Sequence, residues 1–184
     1  MRGSVAARLL PIRWIPREAP VLNPPSTLGR AALEVARVEI GNGEAIQNNH
    51  GPDVVRYRRG IDDGGPWCAA FLAWCIEEAA HHLGLGTCPV RRSHSARTRW
   101  RRAAAAGAVV EHPRAGDLGL WTRTGGAHIG ILDRIETLNN RFWSVEGNKG
   151  GFPSLVDEYK HPFGEPHFLG WARLPMFRRD SVAP

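Results

Sequence analysis

The chain has 184 residues, of which 42% are hydrophobic, and a formal net charge of +6 at pH 7. These values are ordinary for one soluble globular domain with a short extension. No run of residues approaches the ~20 apolar positions that a membrane span needs, so a transmembrane protein is excluded. A basic surface favours polyanions such as nucleic acid, anionic membranes or cell-wall polymers, or it serves solubility alone. No nucleic-acid motif accompanies the charge, so nucleic acid is not an expected partner.

The Arg-rich pieces at 56–59 and 97–102 account for much of this charge. Both are expected to be solvated helix faces as much as a binding patch.

The N-terminal segment 1–25 carries five prolines, which disfavour helix and weaken strand. We expect an extended arm there, one folded domain over residues 26–176, and a short tail over residues 177–184. Arg8, Pro11 and Arg13 interrupt the apolar stretch near the start. No signal peptide is therefore expected, and the chain is predicted to be made in the cytoplasm.

Helices are predicted first along the chain and strands later. This order favours an α+β domain in which a mainly antiparallel sheet packs on the helix that carries Cys68. A hairpin turn is predicted at Asn139-Asn140. The predicted helices begin at Ser26 or Thr27 and end before Gly41, then cover Pro52–Arg59, run from Pro66 to Gly84, and span Ser95–Ala106. The predicted strands are Asp117–Trp121, His128–Ile135, Arg141–Glu146 and Phe168–Leu174.

The three cysteines are Cys68, Cys75 and Cys88, an odd and small number that argues against a disulfide framework. Cys68 and Cys75 are separated by about 10 Å if they share one helix, too far for a disulfide. The spacing also lacks the paired cysteines of a zinc site. We expect no metal and no organic cofactor.

Cys68 lies in the predicted first turn of its helix, where the partial positive charge of the helix start favours a thiolate. This position predicts a nucleophile, although a small buried core residue would fit the same pattern. Cys75 falls in the middle of the helix among apolar neighbours, where an inert thiol is expected.

A nucleophilic cysteine needs a base oriented by a third group. His128 opens an apolar strand after flexible glycines and is the best candidate base. Glu146 ends the next strand and is expected to orient the ring of His128, while Asn148 could do the same or contact substrate. The remaining histidines are weaker candidates because they fall in polar or Pro-rich loops, or at the far end of the Cys68 helix; they are His50, His81, His82, His94, His112, His161 and His167.

Four motifs in this order resemble the signatures of the CHAP family, the cysteine, histidine-dependent amidohydrolases/peptidases. The match is closest to small single-domain, endolysin-like members from phages and bacteria, within the papain-like NlpC-type cell-wall hydrolases. The motifs are Pro66-Trp67-Cys68-Ala69-Ala70-Phe71, Arg114-Ala115-Gly116-Asp117-Leu118, Ala127-His128-Ile129-Gly130-Ile131 and Val145-Glu146-Gly147-Asn148.

The resemblance implies a papain-like α+β fold and a thiol hydrolase that cuts an amide bond in peptidoglycan. It assigns Cys68 as nucleophile, His128 as base and Glu146 as orienting residue. Asn148 matches a further polar position, and Trp67 and Tyr57 are expected to be substrate-binding or accessory. Some members of the family use calcium, and the acidic pair at 62–63 does not decide that question.

The resemblance leaves the bond open: stem peptide, cross-bridge, or the link between muramic acid and the peptide. The rival hypotheses are a papain-like amidase or acyltransferase with another substrate, and a non-catalytic wall-binding or phage structural module. The protein is expected to be a monomer that reaches the wall or periplasm after lysis or by specialised export. An inhibitor, immunity or delivery partner stays open.

Overall fold

The computed structural model describes residues 27–175, so the predicted arm and tail lie outside the described residues. Helices come first and strands later, as predicted. Within the described residues the four helices are α1 (Thr27–Val38), α2 (Pro52–Tyr57), α3 (Cys68–His82) and α4 (Ala96–Ala105). The six strands are β1 (Val109–Val110), β2 (Leu118–Arg123), β3 (Gly126–Glu136), β4 (Arg141–Glu146), β5 (Asp157–Pro162) and β6 (Phe168–Ala172).

The helix α3 is the centre of the helical layer, and ten of its fifteen residues are buried. It begins at Cys68, with Trp67 as its N-cap residue and Pro66 just before that, outside the helix, where proline does not interrupt the backbone hydrogen bonds. Leu28, Ala32 and Ala36 recur at four-residue spacing on α1 and are fully buried. Burial of such an apolar stripe is what stabilises an amphipathic helix in a protein of this size. α1 packs against α3, and α3 packs against β3.

All six strands form one antiparallel sheet in the order β1-β6-β2-β3-β4-β5. One face, with Leu120, Ile129 and Val145, joins the core formed with the helices. The opposite face carries a second apolar cluster, which includes Trp121 and Phe142. The α+β class and the packing of the Cys68 helix on an antiparallel sheet are therefore confirmed.

The predicted boundaries differ from the structure by a few residues, as fraying and capping make usual. The predicted turn at Asn139-Asn140 is present: a short 3-10 helix covers Thr137–Asn139, and Asn140 adopts a left-handed conformation with φ of 49°. Two strands were not predicted. β1 has only two residues, and β5 carries an alternation of charged and polar residues on an edge of the sheet.

The prediction that both Arg-rich pieces form solvated helix faces is wrong for two members. Arg58 and Arg99 are buried, at 4% and 7% exposure. Arg58 donates to the Gly65 carbonyl and pairs with Asp63, while Arg99 donates to the Ser93 carbonyl. Their stems fill space, and their guanidinium groups tie down loops next to α2 and α4.

Candidate active site

The start of α3 places Cys68 at the edge of the helical layer, facing the sheet. Cys68 is the first residue of the helix, where backbone N–H groups have no partner inside the helix. The glycine-rich loop before it is held from one side by Arg58, which bonds the Gly65 carbonyl at 3.1 Å. Cys68 itself is 6% exposed, so its sulfur is nearly shielded from water.

Asn148 fixes this helix start against the end of β4. Its Oδ1 accepts the Trp67 backbone N–H at 3.0 Å, and its Nδ2 donates to Asn49 Oδ1 at 2.8 Å. The approach is close, because a Cβ at Gly147 would lie 2.4 Å from the Trp67 ring. The Trp67 indole N–H in turn donates to the buried Glu44 at 3.0 Å. These contacts fix the position of the start of α3 relative to the end of β4, the strand that carries Glu146.

His128 and Glu146 meet on neighbouring strands. Nε2 of His128 lies 2.6 Å from Oε2 of Glu146, and both side chains are buried. Nδ1 of His128 is buried and has no hydrogen-bond partner among residues 27–175. Since Glu146 engages Nε2, Nδ1 is the nitrogen left to exchange a proton with Cys68.

The electrostatics favour a thiolate at Cys68. Burial alone would raise the pKa of this thiol, but the neighbouring His128 and the backbone N–H groups of Ile129 and Ala69 lower the pKa below its ordinary value. Burial would likewise lower the pKa of His128, but Cys68 and Glu146 raise it above its ordinary value. The two shifts support each other, as expected for a thiolate–imidazolium pair.

Glu146 is held ionised although it is fully buried. Burial would raise the pKa of its carboxyl, but His128, His161 and Lys149 together lower that pKa far below its usual range. Its Oε1 accepts from Ser144 Oγ and lies 2.6 Å from His161 Nε2. A buried carboxylate with several donors is the arrangement that permits such a charge without water.

His161 belongs to this site, although it was predicted to be a loop histidine and a weak candidate. That placement is wrong: His161 lies in β5, is 3% exposed, and bonds the carboxylate of Glu146. Its ring stacks on Phe142 at 4.9 Å and also packs against Trp121. The unpredicted strand explains the error, since only the pairing of β4 with β5 brings residue 161 next to residue 146.

Tyr57 and Trp67 are both fully buried, so neither ring offers surface to a substrate. Their rings stack on each other at 5.6 Å, and the Tyr57 hydroxyl donates to Glu39 at 2.6 Å. Burial and this carboxylate raise the pKa of Tyr57. Both rings pack against the start of α3, so their burial argues against the predicted substrate-binding role, and the accessory role stays a prediction.

The remaining cysteines show the contrast that was expected. Cys75 is fully buried in α3, and burial raises the pKa of its thiol well above the ordinary value. Cys88 is partly exposed and is also a free thiol. In residues 27–175 no group of three or more His, Cys, Asp or Glu side chains is arranged to hold a metal ion.

A cavity of about 200 Å³ opens beside His128 on the sheet face opposite the helices. Trp121, Lys149, His161 and Glu165 line it together with His128. Across the described part of the chain, no helix has the length and apolar character that crossing a membrane requires.

Comparison with known proteins bears on the family. No curated protein and no solved structure gave a significant match. Residues 60–148 match the model of the CHAP domain, a segment that runs from the loop before Cys68 through His128 and Glu146 to Asn148. A CHAP domain implies, in general terms, a hydrolase that acts on peptidoglycan as an amidase or peptidase. The segment 60–148 is therefore similar to a CHAP domain.

Proposed function

We propose that the protein hydrolyses an amide bond of peptidoglycan by covalent catalysis through Cys68, with His128 as general base and acid and Glu146 as orienting residue. The observation that carries the proposal is the buried pairing of a thiol at a helix start with a histidine whose far nitrogen is bound by a carboxylate at 2.6 Å. This is the arrangement that nucleophilic catalysis by cysteine requires.

In the first step the Cys68 thiolate attacks the amide carbonyl carbon, and the carbonyl oxygen becomes an oxyanion. The backbone N–H of Cys68, at the first position of its helix, has no partner within that helix and is proposed to donate to the oxyanion. Imidazolium His128 then gives its Nδ1 proton to the leaving amine, and the C–N bond breaks. The products are an amine and a thioester on Cys68.

In the second step the neutral His128 accepts a proton from water at Nδ1, and the resulting hydroxide equivalent attacks the thioester. The C–S bond breaks, a carboxylic acid leaves, and the thiolate–imidazolium pair is restored. Glu146 remains ionised throughout and fixes Nε2–H as the donor, so that Nδ1 always faces the sulfur.

The proposed substrate class is supported by the similarity of residues 60–148 to the CHAP domain and by the formal net charge of +6, which favours approach to an anionic cell wall. The bond within peptidoglycan is proposed to lie in the stem peptide, the cross-bridge or the muramoyl–peptide link. The proposed place of action is the cell wall or periplasm, reached after lysis or by specialised export from the cytoplasm, and the proposed active form is a monomer.

The test is digestion of purified sacculi, with mass analysis of the released fragments. Wild type and Cys75→Ala are expected to release fragments with new amine and carboxyl ends, whereas Cys68→Ala releases none. The masses of the fragments identify which amide bond is cut. No release by wild type from several wall types would overturn the proposal. Rapid reaction of Cys68 with a thiol probe would then indicate another amide substrate, and slow reaction a binding module.

A further inference from the structure

His161 is hydrogen-bonded by both ring nitrogens to carboxylates. Nε2 lies 2.6 Å from Oε1 of Glu146, and Nδ1 lies 2.6 Å from Oε2 of Glu165. A carboxylate can only accept, and two acceptors facing each other at 2.6 Å would repel. Each of these two contacts therefore needs a proton on the ring, and a ring that donates through both nitrogens is an imidazolium. The ammonium of Lys149 also faces Nε2, at 3.1 Å, so Glu146 and Glu165 supply two negative charges against two neighbouring cations.

The surroundings of His161 are suited to holding that cation. The ring lies between Phe142 and Trp121, with centroid distances of 4.9 Å to each, and this packing fixes its plane. Glu165, which anchors Nδ1, also accepts the indole N–H of Trp121 at 2.8 Å. A ring fixed by stacking and by two short bonds cannot turn away from Glu146.

Glu146 is the group on which this cation acts. Its neighbours are Ser144 on its own strand, His128 on β3, His161 on β5, and Lys149 in the loop after β4. Lys149 contacts the carboxylate at 3.1 and 3.2 Å, and its side chain is 25% exposed. His161 contacts it at 2.6 Å and is almost wholly buried. In the less polar interior the shorter, buried contact is the stronger one.

We propose that His161 is a positioning residue: an imidazolium clamp between Glu165 and Glu146 that keeps Glu146 ionised and aimed at His128. This inference rests on the proposed function for its effect on catalysis. The His161 ring makes its hydrogen-bond contacts with Glu146, Glu165 and Lys149, so it acts on Cys68 and His128 only through Glu146. Its Nε2 bond holds Oε1 of Glu146, which leaves Oε2 for His128 Nε2.

Nuclear magnetic resonance of the histidine rings of the wild-type protein tests the clamp without any substrate. The clamp predicts that both ring nitrogens of His161 carry protons at neutral pH, and that the Nε2 proton of His128 gives a slowly exchanging downfield signal. A neutral ring at His161 would overturn the proposal. This readout decides the matter even if a His161 variant does not fold.

The catalytic consequence is tested with His161→Gln, which keeps a donor near Glu146 but carries no charge. We expect a loss in the rate of fragment release of at least about tenfold, as for a misplaced catalytic group. The acid limb of the pH profile should also move to higher pH, because Glu146 loses one of the cations that keep it ionised.

Ser144→Ala is the matched control, since it removes a neutral bond to the same oxygen, Oε1 of Glu146. We expect its acid limb to move clearly less than that of His161→Gln, because a neutral hydroxyl stabilises the carboxylate less than a cation does. A His161→Gln profile that coincides with wild type would overturn the clamp and leave the proposed function standing. The opposite combination is also informative. If His161 is doubly protonated but the wild-type protein releases no fragments from sacculi, the clamp is supported and the proposed function is refuted.

Discussion

Gly130 offers a way to move Glu146 without touching any of its hydrogen-bonding groups. Gly130 lies in β3, and a Cβ built there would be 2.6 Å from Cγ and 3.2 Å from Cδ of Glu146. The carboxylate cannot retreat freely, because His128 and His161 hold its two oxygens at 2.6 Å. Gly130→Ala should therefore displace Glu146 and strain both bonds.

The displacement can be estimated from ordinary contact distances. Carbon atoms in a protein interior pack at about 3.5 Å, so Glu146 Cγ must move by roughly 0.8–1 Å. Overpacking of a buried site costs about 1–3 kcal/mol in the free energy of unfolding. A shift of ~1 Å in catalytic geometry costs on the order of 10²-fold in rate. We expect Gly130→Ala to fold, with a lower thermal midpoint, and to release fragments about 10- to 100-fold more slowly than wild type.

Gly126→Ala on the same strand is the matched control, because nothing lies within 4 Å of the Cβ that it would add. Fragment release and thermal unfolding of both variants should be measured at neutral pH. Full activity of Gly130→Ala, with its thermal midpoint equal to that of Gly126→Ala, would refute the conclusion that the position of Glu146 governs the rate.

Three further changes test other parts of the site. Cys75→Ala removes a buried thiol from α3 and should lower the free energy of unfolding by about 1–2 kcal/mol while fragment release stays at the wild-type rate; loss of activity would contradict the assignment of Cys68. Asn148→Gly suits the left-handed backbone at that position but leaves the Trp67 N–H without its acceptor, so we expect a loss of about 1–3 kcal/mol and slower release; unchanged thermal unfolding would count against this tie. The folded-state pKa of Glu146 is lowered, so its stabilising contribution is present above the unfolded value of about 4.3 and is lost as the pH falls below that value; the stability difference between wild type and Glu146→Gln should shrink from pH 6 to pH 3, and a constant difference would contradict this.

Much of the fold could be predicted from the sequence because burial imposes a period on each element. The apolar stripe of α3 and its end near Gly84 can be recognised in the sequence, since a helix that packs on a core must repeat its apolar side chains every three to four residues. The strand β5 cannot be recognised in this way. It lies at an edge of the sheet, and its buried His161 stands among charged residues, so the apolar alternation of a strand is missing.

Cys68, His128 and Glu146 could be proposed from the sequence because each has a local signal: a helix start, the first part of an apolar strand and the end of the next strand. Each signal alone was weak, and the resemblance of four ordered motifs to one family joined the three residues into one hypothesis. The supporting groups carry no such signal. His161 and Glu44 reach the site only through strand pairing and loop closure across long stretches of chain. Their carboxylate and imidazole groups look like ordinary surface residues until the fold buries them.

The measurement that tests the central claim most directly is the rate of alkylation of each cysteine as a function of pH, with the modified peptides quantified by mass spectrometry. The claim is that Cys68 is a thiolate maintained by His128. We predict that Cys68 reacts at pH values well below the ordinary thiol pKa of about 8.5, whereas the partly exposed Cys88 serves as an internal reference. His128→Ala should move the Cys68 midpoint upward. If Cys68 reacts only in the ordinary alkaline range, and His128→Ala changes nothing, the thiolate–imidazolium pair does not exist.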